Sequence, residues 1–490
     1  MAKDVRVLII HGWSDCSESF VGMKQYLVAR QIGQVETVYY VDYESREDNM
    51  TYEDVIEGFN NQLIGRKLIA SDGSSPFELK IIVHSTGGLV VRHWLWRYYL
   101  SIGRLDVCPV STLVMLAPAN FGSPLAQMGK SFLGGLVKGR WKVGDLLETG
   151  KKILNGLELG SAYQWQLAHR DLLSGAGYFM PDRIKTTILV GNRDYTGIRG
   201  WLNKPGTDGT VVISGTNLNT AKLCLKFTAP AALTDIYVPH QWQTTRPVSD
   251  IAFGILDGYD HGSIVDQSNV TSADPAAISN VLVAALQVDE AGFKDFQAKL
   301  DGFTNAAYQS VNVDKYQQFL VHALDYQEQS AMDFTLDFAV FKKSRFTGHI
   351  IEDPVQTASD SQADSQTDAE YDYSDQVNQL ISSEAHTYSQ DSSYRRLLVN
   401  TNALALLIGQ MDADPALAGG YGIFMKVFVP AIDKNIGYYT KNLQNILIYD
   451  STGSNPDVPT FFYANTTTLI EIQVDRINTN VWVDTVPRQH

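Results

Sequence analysis

Along the first 288 residues, short apolar runs recur between segments of mixed or amphipathic character: VRVLII, ETVYYVDY, KIIVHS, TLVMLAPA, TTILVG and IAFGILDG. Most are nearly continuous in apolar residues rather than alternating, as expected of strands buried on both faces. The pattern predicts an α/β domain, a mainly parallel sheet with helices on both faces. Between Phe121 and about Met180 the rhythm gives way to a Gly-punctuated helical stretch, FGSPLAQMGKSFLGGLVKGRW and then DLLETGKKILNGLELGSAYQWQL. Placed after a strand end, residues 122–180 read as a helical cap insertion over the sheet. PAAISNVLVAAL, Pro275 to Leu286, has proline near its first turn and apolar residues at helical spacing, and reads as the closing helix of a domain spanning 1–290.

Beyond residue 290 the texture changes to short strand candidates: QQFLVHALDY, DFTLDFAVF, RRLLVNT, GIFMKVFVPA, NILIYD and TTLIEIQVD. Many alternate with period two, which predicts an antiparallel β-sandwich over 291–490. Glu352 to Gln376 is rich in Asp, Ser, Thr and Gln without Lys or Arg, and reads as a disordered acidic loop within that domain.

Composition narrows the possible partners. A formal charge of −15, with no clustered Lys/Arg, repels phosphate backbones and argues against nucleic acid. No segment approaches the roughly 18 continuous apolar residues of a membrane span, so a transmembrane protein is not expected, whereas contact with a membrane surface stays open. The opening MAKDVRVLIIHGW has too short an apolar run for a signal peptide and reads as a first core strand. Cys16, Cys108 and Cys224 are odd in number and far apart, which fits free thiols and a cytoplasmic location, secretion after loss of a leader remaining the alternative. No HExxH, calcium loop or cysteine ligand spacing is present, so neither a metal site nor a cofactor is expected.

Candidate chemistry starts at Ser85. The stretch KIIVHSTGGLVVRHW runs as a strand, breaks at Ser85 and resumes as a helix after Gly87 and Gly88. A sharp strand-to-helix corner lifts a hydroxyl clear of the sheet, and small flanking residues let the two backbones approach. The usual pattern is G-x-S-x-G; here Val83 stands where the first glycine is expected, which predicts a wider packing of that strand. A serine hydroxyl also needs a base and donors for an oxyanion. The turn His11-Gly12-Trp13 follows the first strand, and the backbone N–H groups of Trp13 and Thr86 are the oxyanion candidates, the second at a helix N-terminus. His261 in ILDGYDHGSIVD, after the last strand of the domain, is the candidate base, with His240 its competitor; His84, adjacent to the serine in an extended segment, reads as structural. For the acid that orients the histidine, Asp208 in GTDGTVV is favoured because an Asp-Gly turn fixes its carboxylate, and Asp194 in ILVGNRDY is the alternative.

In this order and spacing, HGWSD, VHSTGGLVVR, LAPANFGSPLA, TDGTVV and DHGSIV resemble an α/β-hydrolase of the lipase and esterase type over residues 5–288. HSTGGLVVR is similar to the nucleophile region of bacterial lipases and glycosylphosphatidylinositol-deacylase-like proteins, and implies Ser85 as nucleophile. DGTVV is similar to the acid turn of lecithin:cholesterol acyltransferase-like enzymes, and implies Asp208 as acid. DHGSIV implies His261 as the histidine.

The resulting expectation is a serine hydrolase cleaving carboxylic esters of an apolar acyl or lipid substrate. Met128, Phe132, Leu133, Leu136 and Trp141 of the insertion either line an acyl pocket or form plain helix core. The alternatives are an acyltransferase or thioesterase with the same triad, and a binding protein that uses the hydrolase fold as a scaffold. Oligomeric state, acyl length and head group are left open by the sequence.

Overall fold

The computed structural model describes residues 3–10, 17–38, 49–126, 151–196, 203–227, 241–310, 314–343, 367–430, 437–438 and 446–477. It divides into two compact units: the first comprises 1–220, 246–315 and 465–467, and the second 221–245, 316–464 and 468–490.

In the first half of the chain the strands are β1 (Asp4–Ile10), β2 (Gln34–Val38), β3 (Phe77–His84), β4 (Val110–Leu116), β5 (Lys185–Gly191), β6 (Ala221–Phe227), β7 (Gln241–Thr245) and β8 (Ala252–Leu256). The first unit is built on one sheet of order β2-β1-β3-β4-β5-β8 in which every adjacent pair is parallel. Its central strands are apolar on both faces, and Val7 to Ile10, Ile81 to Val83 and Leu113 to Leu116 are fully buried. Such strands have no solvent-facing side, which is why they read as continuous rather than alternating runs. Intervening helices include Ser17–Ala29, Tyr52–Gly65, Gly87–Leu95 and Ile278–Gln287. The helix Tyr52–Gly65 starts on a capping box, in which the Thr51 side chain accepts from the Asp54 amide while Asp54 accepts from the Thr51 amide.

Because all six strands run the same way, the loops leaving β3, β5 and β8 emerge at one edge of the sheet, where open α/β sheets place their sites. Ser85 follows β3, Asp208 follows β5 and His261 follows β8.

The expected boundary near 290 moves. Helix Phe293–Ser310 belongs to the first unit, packing on β8 with the Thr304 hydroxyl accepting from the Ile255 amide. Conversely, β6 and β7 leave the first sheet and join the second unit. Within the insertion, residues 127–150, and with them Met128, Phe132, Leu133, Leu136 and Trp141, lie outside the described residues. The remainder forms helices Lys151–Leu157 and Ala162–Asp171, the latter packed against Gly87–Leu95.

The strands that follow are β9 (Tyr316–Asp325), β10 (Thr335–Lys342), β11 (His386–Thr387), β12 (Tyr394–Asn400), β13 (Tyr421–Phe428), β14 (Gly437–Tyr438), β15 (Ile446–Asp450), β16 (Thr467–Val474) and β17 (Arg476–Ile477). The second unit combines a sheet of order β11-β12-β9-β16-β6-β7 with a smaller one of order β10-β13-β15. Both feed one core, in which Phe319, Val321, Phe338, Ile423, Met425, Ile470 and Ile472 are buried. The arrangement is a β-sandwich-like pair of sheets, with one departure from the expected antiparallel pattern: β6 and β16 pair in parallel.

The expected acidic loop at 352–376 is also corrected in part. Residues 367–376 open the helix Thr367–Ser382, while 352–366 lie outside the described residues. Val377 and Ile381, one helical turn apart and buried in the core of the second unit, supply the apolar anchor that the acidic composition upstream conceals. Among the described residues no helix is long and apolar enough to cross a membrane.

Candidate active site

The corner at Ser85 is a sharp turn from β3 into the helix Gly87–Leu95. Ser85 takes φ +53°, a left-handed conformation that a non-glycine residue adopts at a cost of about 1–3 kcal/mol and that gathers at functional corners. Three backbone hydrogen bonds hold it there. Its N–H donates to Leu116 O at 3.1 Å, and its carbonyl accepts from Gly88 at 3.2 Å and Ala119 at 3.0 Å. Thr86 is the N-cap of helix Gly87–Leu95, so its amide stands at the positive end of the helix, one residue after Ser85.

Gly88 is fixed by packing. A Cβ there would lie 2.8 Å from Pro118 Cβ and 3.1 Å from Asn120 Oδ1, so only glycine lets the helix approach the loop after β4. Val83 needs no glycine: it is fully buried in β3 between Ile10 and Met115 and acts as a core residue.

Asp208 and His261 meet. Asp208 is fully buried, and its Oδ2 lies 2.9 Å from His261 Nδ1. Its Oδ1 accepts from the amides of Thr210 at 3.0 Å and Val211 at 2.8 Å, the Asp-Gly turn presenting the carboxylate as a fixed acceptor. The two residues also bond through the backbone, His261 N–H donating to Asp208 O at 2.9 Å. A carboxylate partner places the proton on Nδ1 and leaves the Nε2 lone pair to act as a base. Among the described residues no hydrogen bond joins the Ser85 hydroxyl to His261.

His84 links the two halves, since it precedes Ser85 and its Nε2 lies 3.0 Å from His261 O. Gly191, at the end of β5, is a residue the sequence did not single out. A Cβ there would fall 2.0 Å from Tyr259 O, so glycine allows β5 and the loop carrying His261 to touch.

Asp194 is exposed, and among the described residues it has no hydrogen bond to His261. Partial desolvation first, and then the negative charge of Asp208, raise its carboxyl from its ordinary value. Around Asp208 the loop is braced by Ser123, whose hydroxyl donates to Thr210 O at 2.6 Å, and by Tyr195, whose hydroxyl lies 2.7 Å from Thr210 Oγ1. His11, Trp13 and Cys16 after β1, and His240, lie outside the described residues.

Beneath the corner, Arg92 and Asp171 form a fully buried two-pronged ion pair, Nε to Oδ2 at 2.7 Å and Nη2 to Oδ1 at 3.0 Å. Arg92 also donates to Asn120 O at 3.2 Å, tying helix Ala162–Asp171 to the loop that packs on Gly88. Burial raises the Asp171 carboxyl even though Arg92 opposes the shift.

Burial pushes the free thiols of Cys108 and Cys224 up to about 12, so neither is a nucleophile at neutral pH. No cluster able to hold a metal ion occurs among the described residues. A cleft of about 490 Å³, lined by Leu404, Ile408, Ile448, Val458, Phe461 and neighbours, belongs to the second unit and contains none of the residues above.

No family model matches the sequence, and no curated protein matches it. Among solved structures, phospholipase PlaB from Legionella pneumophila in complex with thio-NAD matches over 99% of this chain and 97% of its own, at 21% identity and a TM-score of 0.72. The same phospholipase alone matches over 98% and 97%, at 22% identity and a TM-score of 0.71. Lipase BlEst2 from Bacillus licheniformis aligns with 54% of this chain and 87% of its own, at 17% identity and a TM-score of 0.35, too loose to carry weight. The chain thus shares, over almost its whole length, the fold of a bacterial phospholipase: an α/β-hydrolase unit accompanied by a second, β-rich unit.

Proposed function

We propose that the chain is a serine hydrolase of carboxylic esters, acting on an apolar acyl substrate of the phospholipid class. The observation that carries this reading is the buried Asp208–His261 pair, bonded through His84 to the strained corner that bears Ser85. The phospholipase of like fold supports the choice of a lipid ester.

In this mechanism Ser85 Oγ attacks the ester carbonyl carbon as His261 Nε2 takes its proton. Asp208 stays ionised, holds the Nδ1 tautomer and stabilises the imidazolium that forms. The tetrahedral oxyanion is received by the Thr86 amide at the N-terminus of helix Gly87–Leu95, with the Trp13 amide the second donor that the sequence suggests, each such donor being worth about a hundred- to a thousand-fold in rate. His261 then gives its proton to the leaving alkoxide. Water, deprotonated by the same imidazole, attacks the acyl-Ser85 ester, and collapse of the second tetrahedral species returns the serine and releases the acid.

The test is hydrolysis of a p-nitrophenyl ester series and of a diacyl phospholipid by the full chain and its Ser85→Ala variant. The expected result is turnover that rises with acyl length and vanishes in Ser85→Ala. Undiminished turnover in that variant removes Ser85 from the reaction. Product released on a competing alcohol in place of water would recast the enzyme as an acyltransferase.

A further inference from the structure

The last residue of β3, His84, is 1% exposed, and its Nε2 lies 3.0 Å from the carbonyl oxygen of His261. A carbonyl oxygen only accepts, so His84 Nε2 carries a proton and donates it there. The two imidazole rings lie 4.6 Å apart between centroids, inclined at 43°, with the Phe20 ring 6.3 Å from that of His84. His261 is thereby held at three atoms: its N–H donates to Asp208 O at 2.9 Å, its Nδ1 to Asp208 Oδ2 at 2.9 Å, and its carbonyl accepts from His84. Asp208 supplies two of these bonds and fixes the base against the acid. Among the described residues, the third ties His261 to β3, the strand that leads into Ser85.

We propose that His84 is a positioning residue, which sets the spacing between Ser85 and His261 by bonding the backbone of the base from the residue next to the nucleophile. The proposal rests on the triad reading above. In this role His84 acts through the backbone of His261. It transmits the position of the corner, itself pinned by the bonds of Ser85 to Leu116 and Ala119, to a loop that leaves a different strand. Proton transfer from Oγ to Nε2 depends steeply on that spacing, and a shift of about 1 Å in reacting groups can cost a hundred-fold in rate.

The chemistry of the bond selects the variants. Glutamine places an amide N–H at the reach of Nε2, so His84→Gln keeps the donor. Asparagine is too short to reach the carbonyl, so His84→Asn stays polar but loses the bond, and His84→Leu loses both. Steady-state kinetics on a soluble p-nitrophenyl ester, the rate of covalent labelling by a fluorophosphonate, and melting temperature are measured on the full chain of each.

The expected result is a fall of about 10- to 100-fold in kcat with KM within about two-fold for His84→Asn and His84→Leu, a labelling rate that falls in step, and recovery to within about three-fold in His84→Gln. If His84→Leu fails to fold, the Asn and Gln pair carries the comparison. Equal impairment of Gln and Asn, an effect confined to KM, or full activity in His84→Asn overturns the positioning role. Failure of the triad itself appears separately, as labelling that survives Ser85→Ala or His261→Ala in the otherwise natural chain.

Discussion

Replacing Asp208 by asparagine changes one oxygen of a fully buried carboxylate into an amide nitrogen at nearly constant volume. The geometry then decides which way the new group turns. If the amide nitrogen faces the turn, the N–H groups of Thr210 and Val211, now 3.0 and 2.8 Å from an acceptor, both lose it. A buried donor left unsatisfied costs about 1–3 kcal/mol, so this orientation is disfavoured by at least about 2 kcal/mol. The amide nitrogen therefore turns toward His261 Nδ1, 2.9 Å away in the natural protein. Two donors cannot share that contact, so the imidazole moves its proton to Nε2, where the base should be. At about 2 kcal/mol the unproductive form outweighs the other by roughly thirty to one, and the imidazolium loses its counter-charge as well. The combined effect is a fall in kcat/KM of about a thousand- to ten-thousand-fold, the loss the same exchange causes in the Ser-His-Asp proteases. Initial rates on p-nitrophenyl butyrate measure it, with circular dichroism as the check on folding. Asp194→Asn, at an exposed carboxylate without a bond to His261, should stay within about three-fold of the natural rate. Retention of a tenth or more of the activity in Asp208→Asn, or an equal loss in Asp194→Asn, would refute the assignment of the acid.

Other substitutions probe the frame. Arg92→Met leaves the Asp171 carboxylate buried without its partner and should destabilise the first unit by about 3–5 kcal/mol, read as a lower urea midpoint, with much of the loss recovered in the Arg92→Met/Asp171→Leu double variant. Val83→Gly, which would restore the usual glycine, should give no gain in rate and cost about 2–4 kcal/mol, because it empties a fully buried site and loosens β3. His93 is pushed down to about 4, chiefly by burial, Glu53 partly opposing the shift. The unfolded chain, with an ordinary histidine near 6.5, binds that proton first as pH falls, so this contribution to stability is present above about 6.5 and lost progressively down to about 4. Melting temperatures of His93→Gln should be flatter across that window than those of the natural protein.

Much of the first unit was legible because a parallel sheet buried on both faces writes itself as continuous apolar runs. The corner was legible for a similar reason: a strand that turns straight into a helix needs small residues, and Gly88 shows why, having no room for a Cβ beside Pro118. Asp208 stood out from Asp194 through its Asp-Gly turn, in which Gly209 takes φ +94°. Gly191 was invisible, because its need depends on Tyr259, far along the chain and brought near only by the fold. The same limit hid β6. Its partner β16 is paired residue by residue, Leu223 with Ile470 and Leu225 with Ile472, across a separation that no local pattern encodes. In the acidic stretch, composition outweighed periodicity, and the helix Thr367–Ser382 went unread because its anchors Val377 and Ile381 lie at and beyond the end of the charged run.

The central claim is that Ser85 carries the acyl group. Its most direct test is mass spectrometry of the full chain after reaction with a fluorophosphonate, followed by peptide mapping. The account predicts one adduct per chain, on the peptide containing Ser85, and none in Ser85→Ala. An adduct on a different residue, or one formed equally in Ser85→Ala, would contradict it.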